Sequence, residues 1–488
     1  MNSRFIICLF IIIINCETAF SQSCLRPRGD VNCDWKVNMS DVNSLLEDML
    51  KGTPYHSFYT YAQDVSNDKE INITDLNMII GAMLGDQLPP MPSPSGTLPV
   101  LHINTEHHRD ILGKEDADYL HADWWLDAAV TDDGHDESLG SKDEPLGMLI
   151  RGRGHYSWFH NSKKSFRIKL DTKQSLLGMK KNRHFCLLAR DHWTTMFGFE
   201  LSRRIGLAYT PAASPVEVIL NGQYIGLYML TEKIRVEKNR VNIVEQEDGE
   251  TDEELITGGW LIEIGNHADD IHFVFQEGNG GWIGVNYHSP DSVSPQQLNY
   301  IYNYLVNTDQ AIYGTVDSIG SWSDYIDMDT LACFYIVNEV ADNIESFTNS
   351  LYLHKQRGRD TKLMFGPVWD MGCAYGRPEL GQPCFIYENT STTYAPHWLP
   401  QLTTYPEFQD AIVRHWNRLC RDGLDTIEDY INAMVDKMTP ASRSDRVRWP
   451  EEEYKWFPDI ESKSNDYYLR QMRAKVQFLK EHWGDYPQ

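Results

Sequence analysis

The sequence predicts an α+β protein: a large two-lobed domain preceded by a small all-α module. Three observations carry this. A loop of oxygen-bearing side chains occurs twice near the N-terminus, and each copy runs into an apolar stripe of helical period. Beyond residue 99, short segments with strand-like alternation come first and longer helical patterns follow. No fixed-period repeat divides residues 99–488, so they read as one domain. The 488 residues are 41% hydrophobic and 23% charged, an ordinary globular composition. That excludes collagen-like, wholly disordered and polytopic membrane chains.

Residues 1–23 carry Arg4, an apolar run from Phe5 to Ile14 and an exit at Ala19 to Ser21 with small residues at both ends. This is the pattern of a secretory signal peptide, so a secreted or cell-surface protein is expected. The run is too short to anchor the chain as a transmembrane helix, and no other transmembrane segment is expected once it is removed. Cleavage at Cys16, the lipoprotein variant, is disfavoured because Asn15 precedes it. Seven cysteines remain, with Cys24/Cys33 and Cys373/Cys384 the pairs nearest in sequence; an odd count leaves one thiol free.

Asp30, Asn32, Asp34, Asn38 and Asp41 stand at positions 1, 3, 5, 9 and 12 of a twelve-residue loop, as do Asp64, Ser66, Asp68, Asn72 and Asp75. The copies start 34 residues apart. Calcium takes six to eight hard oxygen ligands, and this spacing wraps them around one ion. Helical stripes follow at Val42, Leu45, Leu46, Met49 and Leu50, and at Leu76, Ile79, Ile80, Met83 and Leu84. Residues 28–85 resemble a type I dockerin. The resemblance implies two Ca²⁺ ions and a cohesin-like partner meeting loop positions 10 and 11, here Met39/Ser40 and Ile73/Thr74. The usual glycine at position 6 is replaced by Trp35 and Lys69. Residues 86–98, rich in Pro and Ser, read as a semi-rigid linker.

In residues 99–488, strands are expected at Gly147–Ile150, Ser165–Leu170, Val216–Leu220, Tyr224–Leu230 and Trp260–Ile264. Asn221-Gly222 marks a hairpin turn. Helices are expected at Met328–Ala341, Phe408–Cys420, Asp425–Lys437 and Asp466–His482. Strands followed by helices is also the order of a two-lobed kinase-like enzyme.

Three clusters carry chemistry. Leu149 to Leu170 joins the Gly152-x-Gly154 turn to a basic strand with Arg151, Arg153, Lys163, Lys164 and Lys169, a setting for phosphate. Lys164 and Lys169 compete as the phosphate lysine. Lys164 is favoured because it shares a face with Phe166 and Ile168. Glu232, beside Lys233, has the chemistry to orient a phosphate-binding lysine. Finally Asp342, Asn343, Asn349 and Asp370 follow the order in which kinases present a base, a metal-binding amide and a metal-binding carboxylate. Asp370 ends the apolar stretch Phe365 to Trp369, which predicts a half-buried carboxylate.

These blocks, with Ser157-Trp158, the Ser175-Leu-Leu-Gly-Met block, Leu201 to Thr210, Gly226 to Lys233 and Gly366-Pro-Val-Trp-Asp370, resemble the CotH (spore coat protein H) kinase family. The resemblance implies an atypical protein-kinase-like fold, ATP with Mg²⁺ or Mn²⁺, and phosphoryl transfer to Ser or Thr of extracytoplasmic proteins. It makes Asp342 the catalytic or metal-proximal aspartate, Asp370 the metal ligand and Asn349 a second ligand. Where the family often continues with an aromatic residue and a second Asp, Met371-Gly372 stand here, so one carboxylate is missing.

The expected function is therefore a secreted Ser/Thr protein kinase docked to a cohesin-type partner. A non-catalytic kinase-like scaffold and a carbohydrate-binding or carbohydrate-active module are the alternatives. The net charge of -26 argues against nucleic acid as a partner. Residues 146–240 nonetheless sum to +11, the one basic stretch in an acidic chain and the natural place for nucleotide phosphates.

Overall fold

The computed structural model describes residues 25–32, 34–51, 62–66, 68, 70–89, 92–128, 137–265, 271–376, 382–388, 395–449 and 464–484. The expected signal segment 1–23, Cys24, Cys33 and Lys69 lie outside them. The chain forms two compact units. One comprises Met1–Ala189, Ala213–Thr231 and Asp436–Pro458; the other comprises Arg190–Ala212, Glu232–Val435 and Asp459–Gln488.

In the first unit, helices α1 (Met39–Lys51) and α2 (Ile73–Met83) follow the duplicated loops. They bury Val42, Leu45, Leu76 and Ile79 together with Val65. Leu46, Leu50, Met83 and Leu84, also on the expected stripes, are exposed, because so small a pair of helices buries only one side of each.

A closed seven-stranded barrel follows. Its strands are β1 (Val100–Thr105), β2 (Leu120–Asp127), β3 (Leu146–Arg153), β4 (Ser165–Gln174) and β5 (Asn182–Leu188), with the short helix α3 (Tyr156–His160) between β3 and β4. After helix α4 (His192–Ile205) of the second unit, β6 (Ala213–Leu220) and β7 (Gln223–Glu232) close it. The order is β1-β2-β3-β4-β5-β7-β6, with β1 and β6 parallel. Phe166, Ile168 and Leu170 are buried while Arg167 and Lys169 are half-buried, the alternation expected of a strand with one core face. Asn221 and Gly222 turn the β6–β7 hairpin with φ of 50° and 73°, both in the left-handed region such a turn demands. Ser95, in the Pro/Ser segment before the barrel, is bonded to it: its backbone N–H and hydroxyl donate to the buried Glu217 at 2.8 and 2.6 Å.

The second unit holds β8 (Trp260–Ile264), β9 (Phe273–Gln276), β10 (Trp282–Ser289), α5 (Pro295–Tyr313), α6 (Met328–Val340), β11 (Leu351–Lys355) and β12 (Leu363–Phe365). Helices α7 (Leu399–Leu402), α8 (Pro406–Asp422), α9 (Ile427–Arg448, ending in the first unit) and α10 (Asn465–Trp483) complete it. The sheet order is β12-β11-β8-β10-β9. Every residue of α6 from Leu331 to Val340 is buried, so this helix is the unit's apolar axis rather than an amphipathic surface helix. Trp193, Phe197, Leu201 and Ile205 of α4 join the same core. The sequence reading places no helix at 192–205 or 295–313. In α5 the Ser294/Gln297 capping box and Pro295 fix the start and Gly314 the end, but tyrosines at several turns blur the apolar stripe.

Cys373 and Cys384, near one another in sequence, are not joined by a disulfide; Cys373 donates to Glu345 Oε2 at 2.9 Å. Among the described residues no helix is long and apolar enough to cross a membrane.

A buried polar cluster ties the sheet to α5 and α7. Glu277 accepts from His397 Nδ1 at 2.7 Å, Trp398 N at 2.8 Å and Tyr313 Oη at 2.8 Å, while Asp309 Oδ1 accepts from Trp398 Nε1 at 2.9 Å. Burial pushes the Asp309 carboxyl up from 3.8 to about 6, against the bonds from Trp398 and Gly278. The folded state therefore takes up this proton more readily than the unfolded chain. Stability is lost as pH rises from about 4 to 6, and the cost is fully present above that window. Asp309→Asn keeps the accepting oxygen and removes the charge. It is expected to stabilise this unit by on the order of 1–3 kcal/mol at pH 7.5 and by little at pH 4, read from thermal melts at both pH values.

Candidate functional site

The two loops of the N-terminal module close on one bonding pattern. Asp41, at position 12, accepts from Val31 N at 2.8 Å and Asn38 N at 2.8 Å; Asp75 accepts equivalently from Ser66 N and Asn72 N at 2.9 Å each. Asp34 N donates to Asp30, and Asp68 N to Asp64, both at 3.1 Å. In the first loop, ligand atoms of Asp30, Asp34 and Asp41 lie within 4.8 Å of one another, with Asp30 and Asp41 fully buried. Burial raises the Asp30 carboxyl, Arg26 opposes this, and Asp41 adds repulsion. Side-by-side buried carboxylates with hard oxygen neighbours suit Ca²⁺, which Asp30, Asn32, Asp34, Asn38 and Asp41 would hold, with Asp64, Ser66, Asp68, Asn72 and Asp75 as the second set. Met39 and Ile73 are 53% and 58% exposed, and Ser40 and Thr74 are exposed beside them.

Trp35 occupies loop position 6 with φ 67°, a conformation that costs a tryptophan more than glycine. Its ring lies against the β6–β7 hairpin, so close that a Cβ on Gly222 would come within 2.8 Å of it. Lys142 Nζ sits 4.6 Å from the ring centre, and Arg26 N donates to Gly222 O at 2.6 Å. The first calcium loop is thus fastened to the barrel. Trp35→Gly is expected to tighten calcium binding several-fold and to make residues 86–98 more sensitive to protease. Calcium titration and limited proteolysis of the same variant check both effects.

The basic stretch of the first unit is less open to phosphate than its composition implies. Gly152 N is committed to Gly113 O at 2.9 Å, and a Cβ there would lie 2.3 Å from Trp158. The glycine therefore serves packing. Arg151 bonds Lys114 O and Asp116 Oδ1, the latter at 3.0 Å, while Arg153 is half-buried. Lys163 is buried and pairs with Asp445 at 2.7 Å. Lys164 is also buried, donating to Trp158 O with its ammonium 5.3 Å from that indole. Lys169 is half-buried and makes no ion pair among the described residues. Glu232, in the second unit, accepts from Tyr209 Oη at 3.1 Å and Ala212 N at 3.2 Å and pairs with Arg240 at 3.8 Å. Its cationic partner there is an arginine rather than the lysine that sequence reasoning sought.

In the second unit the structure brings Asp342 and Asp370 segments together. Asn343 Nδ2 donates to Asp370 O at 3.1 Å and to Asn338 Oδ1 at 3.1 Å; Asn343 and Ala374 form a β-bridge, and Tyr375 N donates to Ala341 O at 3.1 Å. Asp342 and Asp370 adopt φ of 47° and 51°, unfavourable for a side chain and held by this pairing. The turn also corrects the expectation of a half-buried Asp370. It swings the carboxylate out of the apolar run, and the residue is exposed. Asn349, 6% exposed, donates to Glu345 Oε1 at 3.0 Å. The Asn343 Oδ1 is buried without a hydrogen-bond partner. Asp370 offers a carboxylate and Asn349 an amide oxygen, hard donors of the kind Mg²⁺ or Mn²⁺ take beside substrate phosphate and water.

Sequence reasoning missed Glu339 and Lys475. Lys475 Nζ, on α10, lies 2.5 Å from Glu339 Oε1 and 3.0 Å from Asp342 Oδ1, and donates to Cys384 O at 2.5 Å. The signal available in sequence was a lysine within the apolar stripe of a helix, at a position that must be buried. Burial pulls the ammonium down, but the two carboxylates outweigh it and hold its pKa above 10.5. Asp342 is thereby held by a buried ammonium.

Two known families match the chain. Residues 28–88 match the Dockerin type I domain, and residues 150–483 match CotH kinase protein. No curated protein matches the chain. Because the second match spans most of the chain and contains Asp342, Asp370 and Lys475 alike, the protein belongs to the CotH kinase family and carries a type I dockerin domain at its N-terminal side.

Proposed function

We propose that this is an exported protein kinase of two-lobed, kinase-like architecture that transfers the γ-phosphate of ATP to Ser or Thr of extracytoplasmic proteins, its dockerin docking it to a cohesin-type partner. The observation that carries the reading is the pinning of Asp342 and Asp370 to one another through Asn343, Ala374 and Tyr375. Adjoining loops that each carry an aspartate support the reading of one as metal ligand and the other as base, the two roles phosphoryl transfer asks of a protein. A bound Mg²⁺ or Mn²⁺ supplies neutralisation of the phosphate charge. Asp370 and Asn349 would hold that ion, and Asp342, held by Lys475 at 3.0 Å, orients the attacking hydroxyl and takes its proton. For the first unit, Lys169 is preferred over Lys164 as the phosphate lysine, because Lys164 is engaged by the Trp158 carbonyl. Family membership, the dockerin and the signal-like residues 1–23 together support export.

The test is incubation of the full chain with labelled ATP and Mg²⁺ or Mn²⁺, with and without a serine-rich protein. Phosphate on Ser or Thr supports the proposal. Failure to bind nucleotide overturns it, and binding without transfer identifies a kinase-like scaffold instead.

A further inference from the structure

Gly372 follows Asp370 by two residues and has no side chain to fill the space beside it. The structure shows what occupies the space. An ideal Cβ built on Gly372 would lie 3.3 Å from Asp370 Oδ1 and 3.2 Å from Asp191 Oδ2. A second carboxylate therefore already borders the volume that a side chain at 372 would enter, and it comes from the residue before α4.

The packing of α4 explains how it arrives. Gly198, one helical face along, leaves a notch that Met371 fills; a Cβ at 198 would sit 2.6 Å from the Met371 methyl. Phe199 stacks on Trp369 with ring centres 6.0 Å apart. The loop 369–372 is thus laid along α4, and its last residue meets the residue that starts the helix. Asp191 stands at the N-cap position, where an aspartate ordinarily accepts a hydrogen bond from the first helical turn. It makes no such bond, and its φ of 57° turns its backbone out of the usual cap conformation. The side chain is spared from capping and directed at Gly372. The nearby Cys373 thiol, raised by burial and by Glu345, Asp370 and Asp191, lies in the field of the same carboxylates.

We infer that Asp191 supplies a second carboxylate to the divalent-metal site proposed at Asp370, across the space that Gly372 leaves open. This rests on the kinase reading above and deepens it. Two carboxylates meet the usual demand of Mg²⁺ and Mn²⁺ in nucleotide sites, so Gly372 does not mark a lost site. It makes room for a ligand from elsewhere in the chain.

The test measures metal binding rather than turnover. Mn²⁺ is titrated into the full chain by electron paramagnetic resonance in the presence of a non-hydrolysable ATP analogue. The Mn²⁺ that Asp370→Asn abolishes defines this site apart from the dockerin loops. Asp191→Asn, which keeps the size and the tolerance of positive φ, is expected to weaken that Mn²⁺ by roughly ten- to a hundredfold. Adding Gly372→Asp to Asp191→Asn should return most of the affinity. Unchanged Mn²⁺ affinity in folded Asp191→Asn overturns the inference, as does weakening that Gly372→Asp leaves unrepaired. Wild-type protein with no Asp370-dependent Mn²⁺ would overturn the kinase reading itself, a distinct outcome.

Discussion

Asp370→Asn is expected to lower phosphoryl transfer by on the order of 10³-fold while leaving the melting temperature nearly unchanged. The charge, and not the shape, is what the variant removes. Asn tolerates the φ of 51° at this position better than alanine would. The backbone carbonyl that Asn343 Nδ2 holds at 3.1 Å is untouched, so the pairing of the two loops survives. An exposed carboxylate contributes little to folding, which is why stability is not expected to move. Labelled-phosphate incorporation and a thermal melt on the same preparation separate the two effects. Activity retained within a few-fold would mean that Asp370 does not hold the metal.

Lys475→Met is expected to have the opposite signature, a loss of about 3–5 kcal/mol in the second unit, because removing one partner strands buried charge. Glu339 is fully buried, and its carboxyl is raised by that burial in spite of Lys475. Without the ammonium, Glu339 is left to neutral donors such as the Ile386 N–H, at 3.1 to 3.2 Å, and Asp342 loses its 3.0 Å partner. Adding Glu339→Gln should recover part of the loss, since it removes the stranded charge. The pH dependence has a defined sign. Lys475 titrates above its ordinary 10.5 in the folded state, so its contribution is complete at neutral pH and is lost only as pH rises through the raised value. Thermal melts of wild type at pH 7 and pH 10.5 to 11, beside Lys475→Met at pH 7, check this. A melting temperature unchanged by Lys475→Met would contradict the buried triad.

What was legible in the sequence was what depends on near neighbours. The calcium loops could be read because their ligands fall at fixed spacings within a dozen residues. The β6–β7 turn could be read because Asn-Gly tolerates positive φ. Strand β8 and helices α6 and α8 to α10 follow from local periodicity. Contacts between distant segments resisted reading. Lys475 and Asp342 are 133 residues apart, and nothing near either one names the other. Arg240, seven residues from Lys233, displaced the expected lysine at Glu232 because a folded loop, and not a strand register, brings it there.

By itself the sequence determined the family, the duplicated acidic loops and the basic character of the barrel strands. Only the tertiary structure decided which of those charges are committed. Gly152 and Lys164, which look like phosphate ligands in sequence, are consumed by Gly113 and Trp158, whereas Asp191 emerges beside Gly372. The physical reason is that a charge or polar group removed from water must find a partner, and which partner is within reach is set by how the strands pack within the barrel and how α4 and α10 pack within the second unit, a fact that spacing along the chain does not contain.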